Sequence, residues 1–357
     1  MQKGYSSLEN KQAIIKKEPF EATWITVEEL RAPMVQLQAN KDYWNKPRGP
    51  KLSEVIFRND LSKQEALLLC INTEGQVDIV TMIEPKQAAA VIDSPYANLV
   101  QVNTDRVFAG VFNRFQPDVP FNDRRVREAF NMAINQSRVA RQGFLGYATP
   151  IPSLVPPWSK EMPEDVTPIP YNPSRAKELL REVGWPEDRE FVIAVLKMYE
   201  DAAKVIAEEI ETVLSLKVRV IVIEETEEHK WRKAIAEKRR IPKIDLLLVD
   251  VFALFTEGIP AFIHREFFGE NGALRLGPEL EEFNRLFVAY SSEINDLRKV
   301  ELAKEIDRFV YKEALGLFLC CPQDLYAVNR HVQFRASRST FELTETEVTK
   351  DHWSRRL

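Results

Sequence analysis

Residues Val35–Val80 read VQLQANKDYWNKPRGPKLSEVIFRNDLSKQEALLLCINTEGQVDIV, and residues Pro120–Asn135 read PFNDRRVREAFNMAIN. The first stretch holds two runs of alternating apolar residues on either side of a turn rich in proline and glycine, and a longer apolar run after them. This pattern predicts a strand, a turn, a second strand and a helix. In the second stretch Val126, Phe130 and Ala133 lie three and four positions apart, the spacing of a helix that buries one face. Together they predict an α/β fold.

Strands and helices alternate regularly in the second half of the sequence. The predicted strands are Phe191–Leu196, Val218–Ile223 and Ile244–Val249, and the predicted helices between them are Asp201–Leu214 and Glu227–Glu237. Parallel strands need long crossover connections, usually helices. The alternation therefore predicts a mostly parallel sheet.

Seven prolines occur between Pro150 and Pro170. Proline lacks the amide hydrogen that helices and sheet interiors require, so we expect a long ordered loop that wraps across a lobe. Asn172 and Pro173 then predict the start of a helix, because an asparagine cap followed by proline suits the first turn. The remaining predicted elements are two helices and two late strands: Pro278–Tyr290, Ile294–Glu313, Leu315–Leu319 and Leu325–Val328.

Length and charge restrict the class of protein. The chain has 357 residues, whereas single cores usually stop growing near about 250 to 300 residues, so we expect two or three domains. Lys and Arg number 49 against 54 Asp and Glu, a net charge of −5. The chain lacks the basic excess with which proteins bind nucleic acid, so we expect no nucleic-acid partner. No run of about 18 apolar residues suggests a membrane-spanning helix.

Cysteine, histidine and motif content argue against a disulfide framework, a metal site and an enzyme. The three cysteines form no CxxC pair, and the adjacent Cys320 and Cys321 would not bridge comfortably because neighbouring side chains on a strand point apart. The four histidines lack the spacing of metal ligands. GxSxG, HExxH, P-loop and GxGxxG motifs are absent. We therefore expect no metal, no cofactor and no catalytic residue.

Five blocks of the sequence together resemble one family. ANKDYWNKPRGPKLSEVIFR at Ala39–Arg58, GQVDIV at Gly75–Val80 and the second stretch quoted above are similar, in this order, to blocks of the family 5 extracellular solute-binding proteins of ABC importers. GYATPIPSLVPP at Gly146–Pro157 and YNPSRAKELLREVGW at Tyr171–Trp185 resemble the family's proline-rich loop and the helix after it. Each block alone is weak, but five in register are specific.

The resemblance implies a two-lobed fold of the type II periplasmic-binding-protein kind with mixed sheets. It assigns residues 19–118 and 322–357 to lobe I and residues 119–321 to lobe II, after a loosely ordered lead-in at residues 1–18. In the family, the block that matches ANKDYW follows a signal, the first strands of lobe I and often a small extra domain. Because that block begins here at Ala39, we expect an amino-terminally truncated chain with an incomplete lobe I.

The resemblance also places the ligand site near the turn after the strand at Ile244–Val249. In peptide-binding members, the last acidic residue of this turn pairs with the amino terminus of the ligand. Counting from Asp245, that position here holds Leu254, and the position of a family tryptophan holds Val251. A buried ammonium needs a paired acceptor, so we hypothesise that the chain does not hold a free peptide amino terminus in the family's usual way. Asp250 is either a substitute acceptor or an ordinary acid at a strand end.

Other residues of the matching blocks divide into ligand contacts and scaffold. Trp231 corresponds to a cleft tryptophan of the family, with packing on its own helix as the alternative. Tyr43 and Trp44 are predicted to pack within a lobe, and Asp123 and Arg127 to cap and brace one helix, with Asn122 as the alternative cap. Near the end, cysteines replace family aromatics and either border the cleft or are buried as small apolar groups. The predicted ligand-contacting residues are Trp231, Asp250, Phe252, Ala253, Leu254, Phe255, Asn113 and Cys321.

The resemblance predicts the solute-binding component of an ABC importer. Such a protein captures a small peptide or other polar solute between two lobes that close by a hinge motion, and presents it to an ABC transporter permease. We expect a monomer. The alternatives are a non-transport ligand sensor or interaction module that kept the fold but lost the peptide site, and, third, an enzyme. The family works outside the cytoplasmic membrane, but residues 1–20 show no signal peptide, so a cytoplasmic location stays open.

Overall fold

The computed structural model describes residues 33–356 apart from residues 46, 48, 117, 187, 225, 228–229, 232, 234–242, 252–259, 271, 273–275 and 339. The contacts between residues divide the chain into two compact units. Unit 1 comprises Met1–Val102 and Asp324–Leu357, and unit 2 comprises Asn103–Gln323. The lobe boundaries expected from the sequence stay a prediction.

The described elements alternate along the chain much as the sequence predicts. The strands are β1 (Met34–Gln38), β2 (Glu54–Arg58), β3 (Ile79–Val80), β4 (Ala97–Asn103), β5 (Val107–Phe112), β6 (Ala148–Pro150), β7 (Glu190–Leu196), β8 (Lys217–Ile223), β9 (Leu246–Val251), β10 (Leu317–Asn329), β11 (Val332–Gln333) and β12 (Glu347–Val348). The helices are α1 (Lys63–Asn72), α2 (Ala88–Ile92), α3 (Arg124–Ala133), α4 (Gln136–Arg138), α5 (Pro173–Glu182), α6 (Glu200–Glu209), α7 (Pro260–Phe268), α8 (Glu281–Ser292) and α9 (Asp296–Lys312). Short 3₁₀ turns lie at Pro85–Gln87, Lys197–Tyr199 and Trp353–Arg355, and π turns at Val139–Gly143 and Ile210–Leu214.

Unit 1 contains an antiparallel pair of strands, β1 and β2, and the capped helix α1. Ser62 and Glu65 form a reciprocal capping box that satisfies amide groups at the start of α1. Between β1 and β2, Trp44 is 83% exposed, and its ring lies 5.9 Å from that of Tyr43. The prediction that Trp44 packs within a lobe is wrong, because its ring contacts the neighbouring tyrosine at the surface rather than a core.

The aspartate of the GQVDIV block holds the end of the chain in unit 1. Asp78 Oδ1 accepts hydrogen bonds from Asn329 Nδ2 at 3.1 Å and Trp353 Nε1 at 3.0 Å. His352 Nε2 lies 3.1 Å from the same oxygen. One carboxylate therefore joins the end of β10 to the terminal 3₁₀ turn.

A mixed sheet forms the centre of unit 2. Its strand order is β10, β5, β9, β7 and β8, with β6 paired to β10. β7 runs parallel to β8 and β9, whereas β5 is antiparallel to β9 and β10. The prediction of a mostly parallel sheet is correct for β7, β8 and β9 and wrong for the sheet as a whole, because β5, β6 and β10 pair antiparallel. The strands outside that alternation make the sheet mixed, as the resemblance implies.

Both faces of this sheet are covered, because successive residues of a strand point to opposite faces. Phe112 and Ile193 belong to a core cluster that includes residues of α3, α5 and α6. Val111 and Ala194 belong to a second cluster that includes residues of α7, α8 and α9. Burial on both sides explains why β5 reads as the continuous apolar run VFAGVF.

Arg127 braces the end of α9 from within α3. Its guanidinium is 1% exposed and donates from Nη1 to the carbonyl oxygens of Phe121 at 2.7 Å and Asn122 at 3.0 Å. Nη2 donates to the Glu313 carbonyl at 2.6 Å, and Nε to the Ala314 carbonyl at 3.1 Å. Burial lowers the pKa of Arg127 to about 10, which leaves it charged at neutral pH. The predicted bracing role is confirmed.

Two other residues of the same block complete the connection to the sheet. Asp123 accepts a hydrogen bond from the Arg125 amide and caps α3, as predicted. Asn131, one turn beyond Arg127, donates to the Gly316 carbonyl at 2.9 Å and accepts from the Phe318 amide at 3.0 Å. The block therefore fixes where α9 ends and where β10 begins.

The two late strands predicted at Leu315–Leu319 and Leu325–Val328 are one strand, β10, of 13 residues. The prediction is wrong at the proline between them. Pro322 pairs with Ala148 of the three-residue strand β6, and its carbonyl oxygen accepts a hydrogen bond from Thr104 at 2.8 Å. A proline is tolerated where the strand needs no amide donor on that side.

Two helices differ from the prediction. α7 has no counterpart in it, although Pro260 occupies its first position, a favourable place for proline. The helix predicted at Glu227–Glu237 falls largely outside the described residues. By contrast, α5 starts at the predicted asparagine cap, and Gly184, with φ of 69°, follows its end.

Replacing Arg127 by Lys should lower the free energy of unfolding by about 2–4 kcal/mol, because one ammonium cannot reach carbonyls at both sites and leaves buried acceptors unpaired. Urea unfolding followed by circular dichroism measures this. Arg125→Lys, an exposed change on the same helix, should stay within about 0.5 kcal/mol. An equal loss of unfolding free energy in the two variants would contradict the bracing role of Arg127.

Replacing Asp78 by Ala should free the terminal 3₁₀ turn at a local cost of about 1–3 kcal/mol, because it removes the shared acceptor of two donors. Hydrogen exchange of residues 347–356 should then accelerate. Asp93→Ala, at an exposed position of the same unit, should leave that exchange unchanged. Unaltered exchange in Asp78→Ala would show that the turn is held by other contacts.

Candidate functional site

The carboxylate of Asp250 lies near the end of β9 and is held by two neighbours. Asp250 Oδ2 accepts a hydrogen bond from Arg106 Nη1 at 3.2 Å and another from the Tyr199 hydroxyl. The Arg106 and Asp250 side chains are only 16% and 13% exposed. Arg106 precedes β5 and Tyr199 follows β7, so three elements meet at the edge where β7 and β9 end.

Burial sets the protonation of the groups around this carboxylate. It raises the pKa of Tyr199 well above its usual value, and the charge of Asp250 acts in the same direction. Burial likewise raises the pKa of the Cys320 and Cys321 thiols, and the charge of Asp250 contributes. The phenol therefore remains a donor, and neither thiol is a thiolate nucleophile at neutral pH.

The turn between β4 and β5 is fixed from two sides, which positions Arg106. Trp158 Nε1, from the proline-rich segment, donates to Asp105 Oδ1 at 3.1 Å. Gln323 Nε2, from β10, donates to Asn103 Oδ1 at 2.8 Å. These contacts lie in unit 2 and join the start of β5 to two other parts of the same unit.

Asp245, at the start of the segment that leads into β9, has a structural role. It is fully buried, and its Oδ2 accepts hydrogen bonds from Arg189 Nη1 at 2.9 Å and from the Val192 amide at 2.7 Å. Arg189 Nη2 binds the other carboxylate oxygen, which makes the pair bidentate. This contact fixes β9 beside β7 and thereby places Asp250.

Two of the predicted ligand-contacting residues are buried. Asn113 is 1% exposed; its Nδ2 donates to the Ile244 carbonyl at 2.9 Å and its Oδ1 accepts from the Phe115 amide at 3.1 Å. Cys321 is 0% exposed and lies opposite Thr149 of β6. Both side chains contribute to the packing of unit 2, and their ligand role stays a prediction.

The other predicted contacts are less fully described. Trp231 is half-buried and packs against the second core cluster, as the packing alternative expects. Its ligand role stays a prediction, as does that of Asp250. Four consecutive predicted residues lie outside the described residues: Phe252, Ala253, Leu254 and Phe255.

Arg106 and Tyr199 were not predicted. Their common partner, Asp250, is 144 and 51 positions away along the chain, so no local spacing reveals the contact. The available signal was a single arginine directly before the continuous apolar strand β5. A charged residue at the end of a buried strand needs a nearby counter-charge.

The described part of the chain contains neither a membrane-spanning helix nor a metal-binding cluster. None of its helices combines the length and apolar character that a membrane-spanning segment needs. In the same residues, no group of three or more His, Cys, Asp or Glu side chains is arranged to hold a metal ion.

Comparison with known proteins identifies the family. Residues 19–252 match the model of bacterial extracellular solute-binding proteins, family 5 (middle). This match covers more than half of the chain, and the chain belongs to this family. A sequence relative is the glutathione-binding protein GsiB of Salmonella paratyphi A, 32% identical over 155 residues, which are 43% of this chain and 29% of GsiB.

Solved structures share the fold. The ABC transporter substrate-binding protein CtaP of Listeria monocytogenes superposes with a TM-score of 0.74 at 16% identity, over 88% of this chain and 64% of CtaP. The oligopeptide-binding protein AppA of Bacillus subtilis, solved with a nonapeptide, gives 0.68 at 16% identity, over 90% of this chain and 65% of AppA. The fold is thus the type II periplasmic-binding-protein fold. The chain spans less than a third of GsiB and about two thirds of each of these structures.

A double-mutant cycle tests the Arg106–Asp250 contact. Arg106→Met and Asp250→Asn should show a coupling energy of about 1–3 kcal/mol, because each single change leaves a partly buried partner uncompensated. Chemical denaturation of the four proteins gives the value. The exposed pair Arg124 and Glu128, changed to Met and Gln, should couple by only about 0.3–0.5 kcal/mol. Equal coupling energies in both cycles would contradict an electrostatic contact between Asp250 and Arg106.

Proposed function

We propose that this chain is a solute-binding component of an ABC importer and that it captures a peptide-like or other small polar solute without chemical turnover. Membership of the solute-binding family across residues 19–252 carries the proposal. The sequence relative and the similar structures are named as binding proteins for glutathione, transporter substrates and oligopeptides.

The proposed solute contacts around Asp250 lie at the start of β5 and the carboxyl end of β9 in unit 2. In α/β sheets, ligands bind beyond the carboxyl ends of the strands, and Asp250 lies one residue before the carboxyl end of β9. Arg106 and Tyr199 supply a guanidinium and a phenol beside this carboxylate. The chain continues from there into the predicted contacts Phe252–Phe255. Polar groups at a strand end fit a polar solute better than an apolar one.

Asp250 is a poor acceptor for a ligand ammonium. Its charge is already offset by Arg106 at 3.2 Å, so an arriving ammonium would meet a neighbouring cation. Leu254, at the position of the family's amine-binding acid, offers no acceptor. We therefore propose that solute recognition does not depend on a free amino terminus.

The proposed partner is an ABC transporter permease, and the proposed site of action is outside the cytoplasmic membrane. The family description names extracellular proteins, and CtaP is named as an ABC transporter component. We propose that the chain acts as a monomer and delivers the solute unchanged.

Isothermal titration calorimetry tests the proposal with glutathione and a nonapeptide, each with a free and with an acetylated amino terminus. We expect binding of at least one pair and less than a threefold change on acetylation, because the chain lacks the amine-binding acid. A loss of affinity of tenfold or more on acetylation would contradict the proposed mode. Absence of binding by all four would contradict solute capture of this class.

Asp250→Asn provides the matched control. It should change the affinities for the free and the acetylated forms by the same factor, since the proposed recognition does not pair Asp250 with the amine. Selective weakening of the free form alone would show that Asp250 is the substitute amine acceptor.

A further inference from the structure

A buried polar cluster joins the proline segment, defined here as Ile151–Val166, to α7 and α9. Ser153 Oγ donates a hydrogen bond to Asp307 Oδ2 at 2.6 Å. On the other side of this carboxylate, His264 Nε2 lies 3.5 Å from Asp307 Oδ1. All three side chains are 0% exposed. Three elements distant in sequence therefore meet at one interior carboxyl group.

A second carboxyl group of the proline segment is buried against α7. Glu161 is 6% exposed and faces the backbone of Ala261 in the first turn of α7. The His264 ring, three residues further along α7, meets the backbone of Leu154. Neither ring nitrogen of His264 reaches hydrogen-bond geometry with a described residue. The Glu161–Ala261 and His264–Leu154 contacts between the segment and α7 thus both involve a titratable side chain.

The cluster is not a hydrolase triad, although it contains serine, histidine and an acid. In a triad the imidazole accepts the proton of the serine hydroxyl. Here Ser153 donates to Asp307, and the carboxyl group occupies the centre. The imidazole is therefore not the acceptor of the hydroxyl proton, and the cluster connects elements in place of forming the serine–histidine pair of a hydrolase.

Burial shifts all three titratable groups toward their neutral forms. It raises the pKa of Asp307 to about 7, opposed by the hydrogen bond from Ser153, and raises the pKa of Glu161 to about 7. Burial lowers the pKa of His264 to about 3. The other titratable groups that face the two acids are Lys160 on the segment, Tyr290 on α8, and Lys299 and Arg308 on α9.

We propose that this cluster is a proton-controlled latch: it holds the proline segment against α7 and α9 while Asp307 and Glu161 are protonated, and releases the segment when they ionise. An ionised Asp307 has a neutral imidazole beside it, and the cations that face the two acids, Lys160, Lys299 and Arg308, are not buried. Local opening lets water solvate the charge. The proposal concerns unit 2 itself and does not depend on which solute the chain binds.

The sign of the pH dependence follows from the protons bound in each state. In the closed state the proline segment packs against α7 and α9, and between about pH 5 and 6.5 both Asp307 and Glu161 are protonated. In the open state over the same range only His264 is protonated. The closed state therefore binds one proton more, and the equilibrium constant for opening rises about tenfold per pH unit. The increase steepens between about pH 6.5 and 7, where free histidine is neutral, and then levels off.

Hydrogen exchange of the whole chain between pH 5 and 8.5, corrected for the intrinsic rate at each pH, tests the latch. Protection of residues 151–166 should fall at least tenfold between pH 5.5 and 7.5. Protection of β7, in the core of the same unit, should stay constant. A flat profile for 151–166, or an equal fall in β7, would overturn the proposal.

Variants separate proton control from simple packing. Ser153→Ala removes the hydrogen bond that favours ionised Asp307, so it should move the midpoint of the transition to higher pH. Asp307→Asn should flatten the profile. Arg308→Gln, which breaks the exposed contact to Asp165 at 2.9 Å, should instead move the midpoint slightly upward and keep the slope. A uniform loss of protection at every pH in Ser153→Ala would assign the cluster a packing role only.

Discussion

The buried guanidinium of Arg127 is the interaction on which the rest of unit 2 depends. It donates hydrogen bonds to carbonyl oxygens at the start of α3 and in the turn after α9. The Glu313 and Ala314 carbonyls follow the long helix α9, where the last carbonyl groups have no partner within the helix. Because Asn131 continues the connection to Gly316 and Phe318, the position of α3 determines where β10 enters the sheet.

The positions of these strands in turn determine which side chains meet at the candidate site. β10 pairs with β5, β5 pairs with β9, and the buried Asp245–Arg189 contact holds β9 beside β7. Asp250, Arg106 and Tyr199 meet only because these strands are in register. The site is therefore a consequence of scaffold contacts. Arg127 and Asn131 lie in a sequence block that resembles the family, whereas Arg189 and Asp245 lie outside the five blocks. Replacement of a scaffold residue should disturb the site without touching a solute.

The sequence was informative where local chemistry determines the structure. An aspartate cap at Asp123 and an asparagine followed by proline at Asn172 indicate where α3 and α5 begin, and both are confirmed. Contacts between distant positions were not predictable. The Arg106–Asp250 pair and the Ser153–Asp307 hydrogen bond join residues 144 and 154 positions apart, and no periodic pattern marks either. Pro322 led to the wrong prediction of two strands in place of β10, because a proline interrupts a strand only where the neighbouring strand needs its missing amide donor.

Family membership across residues 19–252 supports the proposal that the chain captures a peptide-like or other small polar solute without chemical turnover. Native mass spectrometry of the chain, purified without denaturation and then incubated with glutathione or the nonapeptide, tests this most directly. The account predicts one non-covalently bound solute per chain, released unchanged on collisional activation. A chain that stays bare in every case, or a solute released in chemically altered form, would contradict it.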